Sequence, residues 1–546
     1  MKPSSKALIV LIVVLLPLSL FYGSDMMELR AEEPRRAIVA LEMYLTGNYI
    51  VPKINGWDYY NKPPLFNWLI AFCFYLFNSF SEWVVRIPSL VSFLLTGLFH
   101  YLFSRKYFKG HTSILASFFF LTSADIFFYG SINAGEIDLF YSLLVYLQVM
   151  CIFFFYERKD YLLLFLSSYA FTALGVITKG PPSLAFQALT LLGWFIYNKE
   201  FKRLFYWQHI LGILLLVGIS GGYFYVYAQQ ADVVGLLVRL TKEATQRSGV
   251  ESGIIKTLTG AVSFPLLLIQ LLLPWSVFVV LWFRKDFFAR VKENRLLIFC
   301  LIFIACNIPI YWFTGELKNR YIYMFFPFIT TLLAYFVEER TGKFERFYAV
   351  IQKLIMAGMC LFVLLFLELT FTPYTKEISA IFFKSVLFAF LSAIIALYTI
   401  KYVPHRTFYT LLFLVLLRFA LSTFYYPVML ASDKNMTYRK TTSEILKIAN
   451  GEQVYWAENP YVFKSELGIG PVKLKEATHK TAALLAYEIP YYLTRSNKMV
   501  MQFDTVIKPG RLYLTTVQFA AGKNLQELYH MRDNWTQNEL VLLRGK

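Results

Sequence analysis

Ionisable side chains stand at a few points along a chain that is otherwise strongly apolar, and their spacing suggests chemistry. Glu32 and Glu33 directly precede Pro34, with Arg35 next in line. A proline in the first turn and the helix dipole both favour carboxylates at such a helix start. A carboxylate there can serve as a base or orient a reacting group, and charge alone reads it equally well as a solvated helix start. Lys62 is followed by Pro63 and Pro64, which fix the local backbone and can aim the ammonium at an anion; a snorkelling interfacial lysine has the same signature. Asp138, with Glu136 two residues earlier, enters an apolar run, where an acid is expensive without a partner or a role. Lys179 closes another apolar run, and Arg247 lies in the segment Glu243–Ser248, which also reads as an exposed amphipathic stretch. Lys318 and Arg320 share that ambiguity, and Tyr321 is one of 38 tyrosines, a residue type common in interfacial belts.

The elements that must hold these groups are membrane spans. Of 546 residues, 57% are hydrophobic and 16% charged, against about a quarter charged in an ordinary soluble domain. Apolar runs long enough to cross roughly 30 Å of hydrocarbon recur over the first 425 residues. The first, Ala7–Tyr22 behind Lys2 and Lys6, reads as an uncleaved signal anchor. The net charge of +18 gives no case for nucleic acid, because the Lys and Arg collect in short loops between apolar runs. The five cysteines all fall in apolar segments and carry no metal or disulfide spacing, so small core residues are expected.

Fourteen apolar runs can be counted. If all cross, most basic loops fall opposite Lys2 and Lys6, against the positive-inside rule. If residues 64–80 lie in the interface instead, the loops 105–111, 157–160, 198–204, 284–295, 338–348 and 401–406 share one face and hold 18 Lys and Arg. The opposite short loops 130–138, 178–182, 314–320 and 372–377 then hold 4. The expectation is a polytopic α-helical protein with about 13 spans. Its outer face gathers the 23–63 loop, the Gly130–Asp138 turn and the 229–260 loop. A membrane region, 1–429, would precede a soluble extracytoplasmic α/β domain, 430–546. That domain has strand-like Val454–Ala457, Arg511–Val517 and Leu540–Leu543, and helix-like Thr441–Ala449 and Ala482–Thr494.

Several stretches carry a resemblance: Glu32-Glu-Pro-Arg35 with Ala37 and Glu42-Met43, Gly47–Pro52, Asn55-Gly56, Lys62-Pro-Pro-Leu65, Arg86-Ile-Pro-Ser89, Asp138–Leu143, Thr178–Pro181, Leu273-Pro-Trp275, and Tyr321 with Pro327. In this order the sequence resembles the GT-C membrane glycosyltransferases, in the branch of the lipid A aminoarabinose transferase and the protein O-mannosyltransferases. The block from Glu32 to Leu65 is the specific part, and the C-terminal domain matches least.

The resemblance implies an inverting transferase that takes a sugar from a polyprenyl-phosphate donor at the extracytoplasmic surface of a bacterial inner membrane. Lipid A is the leading acceptor, and a protein hydroxyl or another envelope glycan the alternative. It implies a catalytic acid at Glu32, where the family usually has Asp, or at Glu33, and a second acid at Asp138, with Glu136 as the alternative. Arg35 matches the motif arginine, Lys62, Lys179 and Arg247 match donor-phosphate positions, and Tyr321 matches a cavity tyrosine. Some relatives carry a metal ligand just before Lys-Pro-Pro; Asn61 stands there, so no metal and no cofactor are expected. Cations near the leaving phosphate would stabilise its charge, and a carboxylate opposite could deprotonate a hydroxyl acceptor. A phosphate acceptor is already ionised, and Glu32 would then orient more than abstract. The non-enzyme reading is a transporter or flippase of lipid-linked sugars; such proteins favour mid-membrane charges and repeated halves, neither of which the sequence displays.

Overall fold

A computed structural model of the chain describes residues 5–246, 254–312, 318–432, 437–458, 487–523, 525–533 and 538–546. Apolar runs become helices because in hydrocarbon every backbone N–H and C=O must be satisfied within the segment. In chain order these are α1 (Ser5–Phe21), α2 (Glu33–Thr46), α3 (Leu65–Phe77), α4 (Glu82–Ser104), α5 (Thr112–Leu121), α6 (Ile137–Glu157), α7 (Tyr161–Lys179), α8 (Pro182–Tyr197), α9 (Trp207–Ala228), α10 (Val233–Gln246) and α11 (Ile254–Leu271). Helices at Arg295–Asn307, Phe326–Glu338, Lys343–Glu368, Ile381–Lys401 and Arg406–Ala420 complete the bundle. Among the described residues, nine helical stretches of 18–30 residues are long and apolar enough to cross a membrane, and five shorter apolar helices accompany them.

The loops sort into two ends. At one end Arg295 pairs with Glu157 at 2.8 Å and donates to Asn198 Oδ1 at 3.1 Å, while Asn294 Nδ2 donates to the Tyr107 carbonyl at 2.8 Å. Arg290 reaches Glu339 at 3.4 Å in the same layer. Ser5 Oγ lies 3.2 Å from His405 Nδ1, which puts the start of α1 at the same end as the 401–406 loop. With both at one end, the number of crossings between them is even, which agrees with an interfacial rather than a spanning α3. Phe66, Ile70 and Phe74 of α3 are buried in a cluster with α2 and the C-terminal sheet, apart from the bundle core. Its other face exposes Phe72, Tyr75 and Leu76, as an interfacial helix would toward lipid.

Several expectations change. The 229–260 stretch, read as a loop, contains α10 and the start of α11. The run 261–283 is broken: α11 ends at Leu271, and after Pro274, which has no N–H to continue a helix, the chain resumes as a 3-10 turn at Trp275–Trp282. All five cysteines are free, but Cys360 is exposed on the Lys343–Glu368 helix and is not a core residue. The first-loop helix α2 is not a solvated helix at all. Ala37, Ile38, Val39, Ala40 and Leu41 are each fully buried, because α3 covers one side and the helix Glu488–Asn497 the other.

The C-terminal part carries a five-stranded mixed sheet in the order β4 (Phe503–Asp504), β3 (Val454–Ala457), β5 (Leu512–Thr516), β7 (Glu539–Gly545), β6 (Leu525–Arg532), numbered after the first-loop hairpin β1 (Lys53–Ile54) and β2 (Trp57–Asp58). β3 runs parallel to β4 and β5, and β7 antiparallel to β5 and β6. Edge strand β6 escapes sequence reading because Gln526, Glu527, His530 and Arg532 hide its alternation. The Glu28 carboxylate accepts from the Tyr438 and Arg439 amides at 3.1 and 2.9 Å, capping the helix Tyr438–Ala449 from the first loop. The buried Glu82 carboxylate at the start of α4 binds the half-exposed Arg439 at 2.8 Å and Arg495 at 3.0 Å, which ties α4 to the helices Tyr438–Ala449 and Glu488–Asn497.

Candidate active site

The start of α2, the Lys62-Pro-Pro bend, the start of α6, the end of α7 and the 3-10 turn Asn319–Phe325 meet at the end of the bundle that faces the sheet. Between them is an open pocket lined by Glu32, Arg35, Arg36, Asn61, Lys62, Glu136, Ile137, Asp138, Lys179, Lys318, Arg320 and Tyr321. Of the residues singled out from sequence, Glu32, Arg35, Lys62, Asp138, Lys179 and Tyr321 all line it, although they span 290 positions of the chain. Arg247 lies outside the described residues.

Each side chain is aimed by a terminus. Asp138 sits in the first turn of α6 and Lys179 in the last turn of α7, where the helix dipoles favour those charges. Gly180 follows with φ +93°, a conformation open to glycine that turns the chain sharply after Lys179. Lys179 Nζ donates to Asp138 Oδ1 at 2.6 Å and lies 4.9 Å from the Tyr141 ring and 4.6 Å from that of Tyr321. Arg320 bridges both acids of the second loop, at 3.1 Å to Asp138 Oδ2 and 2.5 Å to Glu136 Oε1. Lys179 and Asp138 are both buried. A pair held out of water this way is poorly screened, and removing one partner typically costs about 3–5 kcal/mol.

Glu32 is the N-cap residue of α2 but makes no side-chain cap, which leaves its carboxylate to the pocket. It pairs with Arg35 at 3.2 Å, one helical turn on. Burial pushes its pKa up, but Arg35, Arg36, Arg320 and Lys318 outweigh that and hold it at about 2. Glu33 has a different place. It is fully buried, outside the pocket lining, and its two oxygens take Arg86 Nε at 2.6 Å and Nη2 at 3.0 Å. The Gly135 amide adds a third donor at 2.8 Å, so Glu33 clamps α2 to α4 and to the turn before α6. Asn61, in the position before Lys62, accepts from Arg239 Nε of α10 at 3.2 Å, and a guanidinium thus occupies that corner.

Sequence reasoning missed Arg36, which lines the pocket, and left Lys318 and Arg320 undecided. It also passed over Arg418, buried in the middle of an apolar run and bonded to Asn133 Oδ1 at 2.6 Å and the Tyr426 hydroxyl at 3.2 Å. A charge inside an apolar run was the available signal for Arg418. For Arg36 there was none beyond its adjacency to Arg35.

The lining carries six basic and three acidic side chains, which leaves three positive charges over. Such a pocket suits a multiply charged oxyanion. Residues 61–222 match the family model described as dolichyl-phosphate-mannose-protein mannosyltransferase, a span that includes Lys62, Asp138 and Lys179. The crystal structure of ArnT from Cupriavidus metallidurans bound to undecaprenyl phosphate superposes with a TM-score of 0.68 at 15% identity, covering 99% of this chain and 98% of that one. The chain thus shares the fold of that protein over nearly its whole length. Among sequence relatives, the undecaprenyl phosphate-α-4-amino-4-deoxy-L-arabinose arabinosyl transferase of Erwinia tasmaniensis is 30% identical over 214 residues, 37% of either chain. A second such enzyme, from Proteus mirabilis, is 26% identical over 193 residues, 35% of this chain and 34% of its own. The aligned part thus spans about a third of the length of these relatives. The pocket lies where the matched segment, the first-loop helix α2 and the 3-10 turn Asn319–Phe325 converge.

Proposed function

We propose that this protein is a glycosyltransferase that moves a sugar from a polyprenyl-phosphate donor to an acceptor at the extracytoplasmic face of the membrane, with inversion. The observation that carries this reading is the pocket's excess of cations around the Asp138–Lys179–Arg320 cluster, with Glu32 opposite. The bond broken joins the sugar to the phosphate, and charge accumulates on the departing polyprenyl phosphate. Lys62 and Lys179 line the pocket that would receive it, where low dielectric makes each cation effective. Arg247, outside the described residues, belongs to the same proposed set. Asp138 fixes the Lys179 ammonium and Arg320 in place, and Tyr321 and Tyr141 cover the ammonium from two sides.

A glutamate held at about 2 is a weak base, so proton abstraction from a hydroxyl would gain little from it. That favours an acceptor already ionised, such as a lipid A phosphate, over a protein Ser or Thr; Glu32 would then orient the incoming group. In this reading residues 1–429 form the catalytic membrane region and 430–546 the outer domain. The basic loop layer that holds Ser5 and His405 would face the cytoplasm.

The test is mass spectrometry of lipid A and of glycoproteins from cells with and without the protein, complemented with wild type, Glu32→Gln or Asp138→Asn. A sugar should appear on lipid A with the wild type and vanish with either variant while the protein still inserts. Wild-type transfer by both variants would refute the site, and modification confined to proteins would assign the acceptor to the mannosyltransferase alternative.

A further inference from the structure

Arg36 has no place in the chemistry assigned above, yet it lines the pocket and is only 3% exposed. Among the described residues no carboxylate lies within ion-pair distance of it, and its buried Nη1 has no hydrogen-bond partner. The Tyr59 ring lies 5.8 Å from its guanidinium carbon. The other two arginines of the pocket are accounted for: Arg35 by Glu32 at 3.2 Å, and Arg320 by Glu136 and Asp138. A buried guanidinium with an unpartnered Nη1, and only the longer-range pull of Glu32 to offset its charge, is a burden on the fold. The burden is relieved if the counter-charge arrives with a ligand.

We infer that Arg36 is an oxyanion ligand of the pocket, binding a phosphate group across from the Asp138–Lys179 cluster. Guanidinium suits this because its fork of N–H donors matches two phosphate oxygens, whereas a lysine at the same point would offer a point charge. The Arg36 charge already acts on Glu32, so an oxyanion held by Arg36 would lie within reach of that carboxylate's neighbourhood. Two sources can supply the group, the polyprenyl phosphate of the donor or a phosphate on the acceptor. This inference rests on the transferase reading above.

Full-length protein in lipid nanodiscs would be titrated with a polyprenyl monophosphate and, separately, with glucosamine 1-phosphate, comparing wild type, Arg36→Gln and Arg36→Lys. A charge-assisted contact of this kind should weaken binding by about tenfold or more in Arg36→Gln, with partial recovery in Arg36→Lys. Loss in the lipid arm assigns the anion to the donor, and loss in the sugar-phosphate arm assigns it to the acceptor. Melting temperatures of the three proteins separate lost binding from lost folding: Arg36→Gln should be no less stable than wild type, since an unpaired buried charge is removed. Affinities within twofold of wild type in both arms would overturn the role of Arg36. Wild-type protein that fails to hold polyprenyl monophosphate would overturn the transferase reading along with it.

Discussion

Glu32 and Glu33 are adjacent and chemically identical, and their variants should fail in opposite ways. Glu33→Gln keeps the side-chain volume and removes the charge. In the native protein Arg86 is 2% exposed and Glu33 fully buried, joined through two hydrogen bonds of 2.6 and 3.0 Å. The amides of Gly135 and Arg30 add donors at 2.8 and 3.3 Å. Glutamine offers one acceptor oxygen in place of two and leaves the buried Arg86 charge only the Ser24 and Glu28 carbonyls and the more distant Glu82, a loss of about 3–5 kcal/mol. The Glu32–Arg35 pair is 3.2 Å long and half-buried, with side chains 26% and 21% exposed, and Arg35 can turn to other partners when Glu32 is neutralised, so its loss costs less than that of the fully buried pair. Unfolding in mixed micelles over an SDS titration, followed by tryptophan fluorescence, measures the stability difference, and sugar transfer per folded molecule measures the chemistry. Glu33→Gln should unfold at much lower SDS and keep most of its transfer per folded molecule; Glu32→Gln should unfold like wild type and transfer nothing. A Glu33→Gln protein that is as stable as wild type and inactive would show that Glu33 is the reacting carboxylate and that the division of roles drawn here is wrong.

Two other consequences are open to measurement. Glu488, buried against the first loop with Asp533, Glu28 and Glu33 around it, has its pKa pushed up from 4.5 to about 8 by desolvation first and by those neighbours after. The folded protein therefore holds this proton where the unfolded chain has lost it; the stability contribution is full below about pH 4.5 and disappears as pH rises through about 8. Glu488→Gln should flatten the fall of the melting temperature between about pH 5 and 8, and an unchanged slope would mean the junction titrates elsewhere. For topology, single cysteines at Lys109 and at the exposed Tyr129, in a protein lacking Cys306 and Cys360, should respond differently to an impermeant thiol reagent added outside intact cells. Position 129 should label and 109 should not; the reverse pattern would invert the orientation.

The membrane architecture was legible in sequence because loop charge is a local property that needs no knowledge of packing. Eighteen cations against four sort the loops, and the Ser5–His405 bond repeats that sorting in space. The identity of the pocket residues was legible for a similar reason: an acid entering an apolar run, as at Asp138, demands a partner wherever that partner comes from. What sequence could not supply was the partner itself. Adjacent residues on a helix point about 100° apart, so a two-residue block such as Glu32-Glu33 or Arg35-Arg36 sends its members to different neighbours. Glu33 meets Arg86 from 53 positions away and Glu32 meets Arg35. That choice then propagates, since Arg35 is engaged by Glu32 and by the Tyr487 ring at 5.0 Å, which leaves Arg36 with no carboxylate in ion-pair contact among the described residues. The division of labour in the first-loop motif is therefore set by contacts with α4 and with the C-terminal part, neither of which the motif contains. Relatives that keep the motif but change those distant contacts should redistribute the roles of its charged residues without any change in the motif itself.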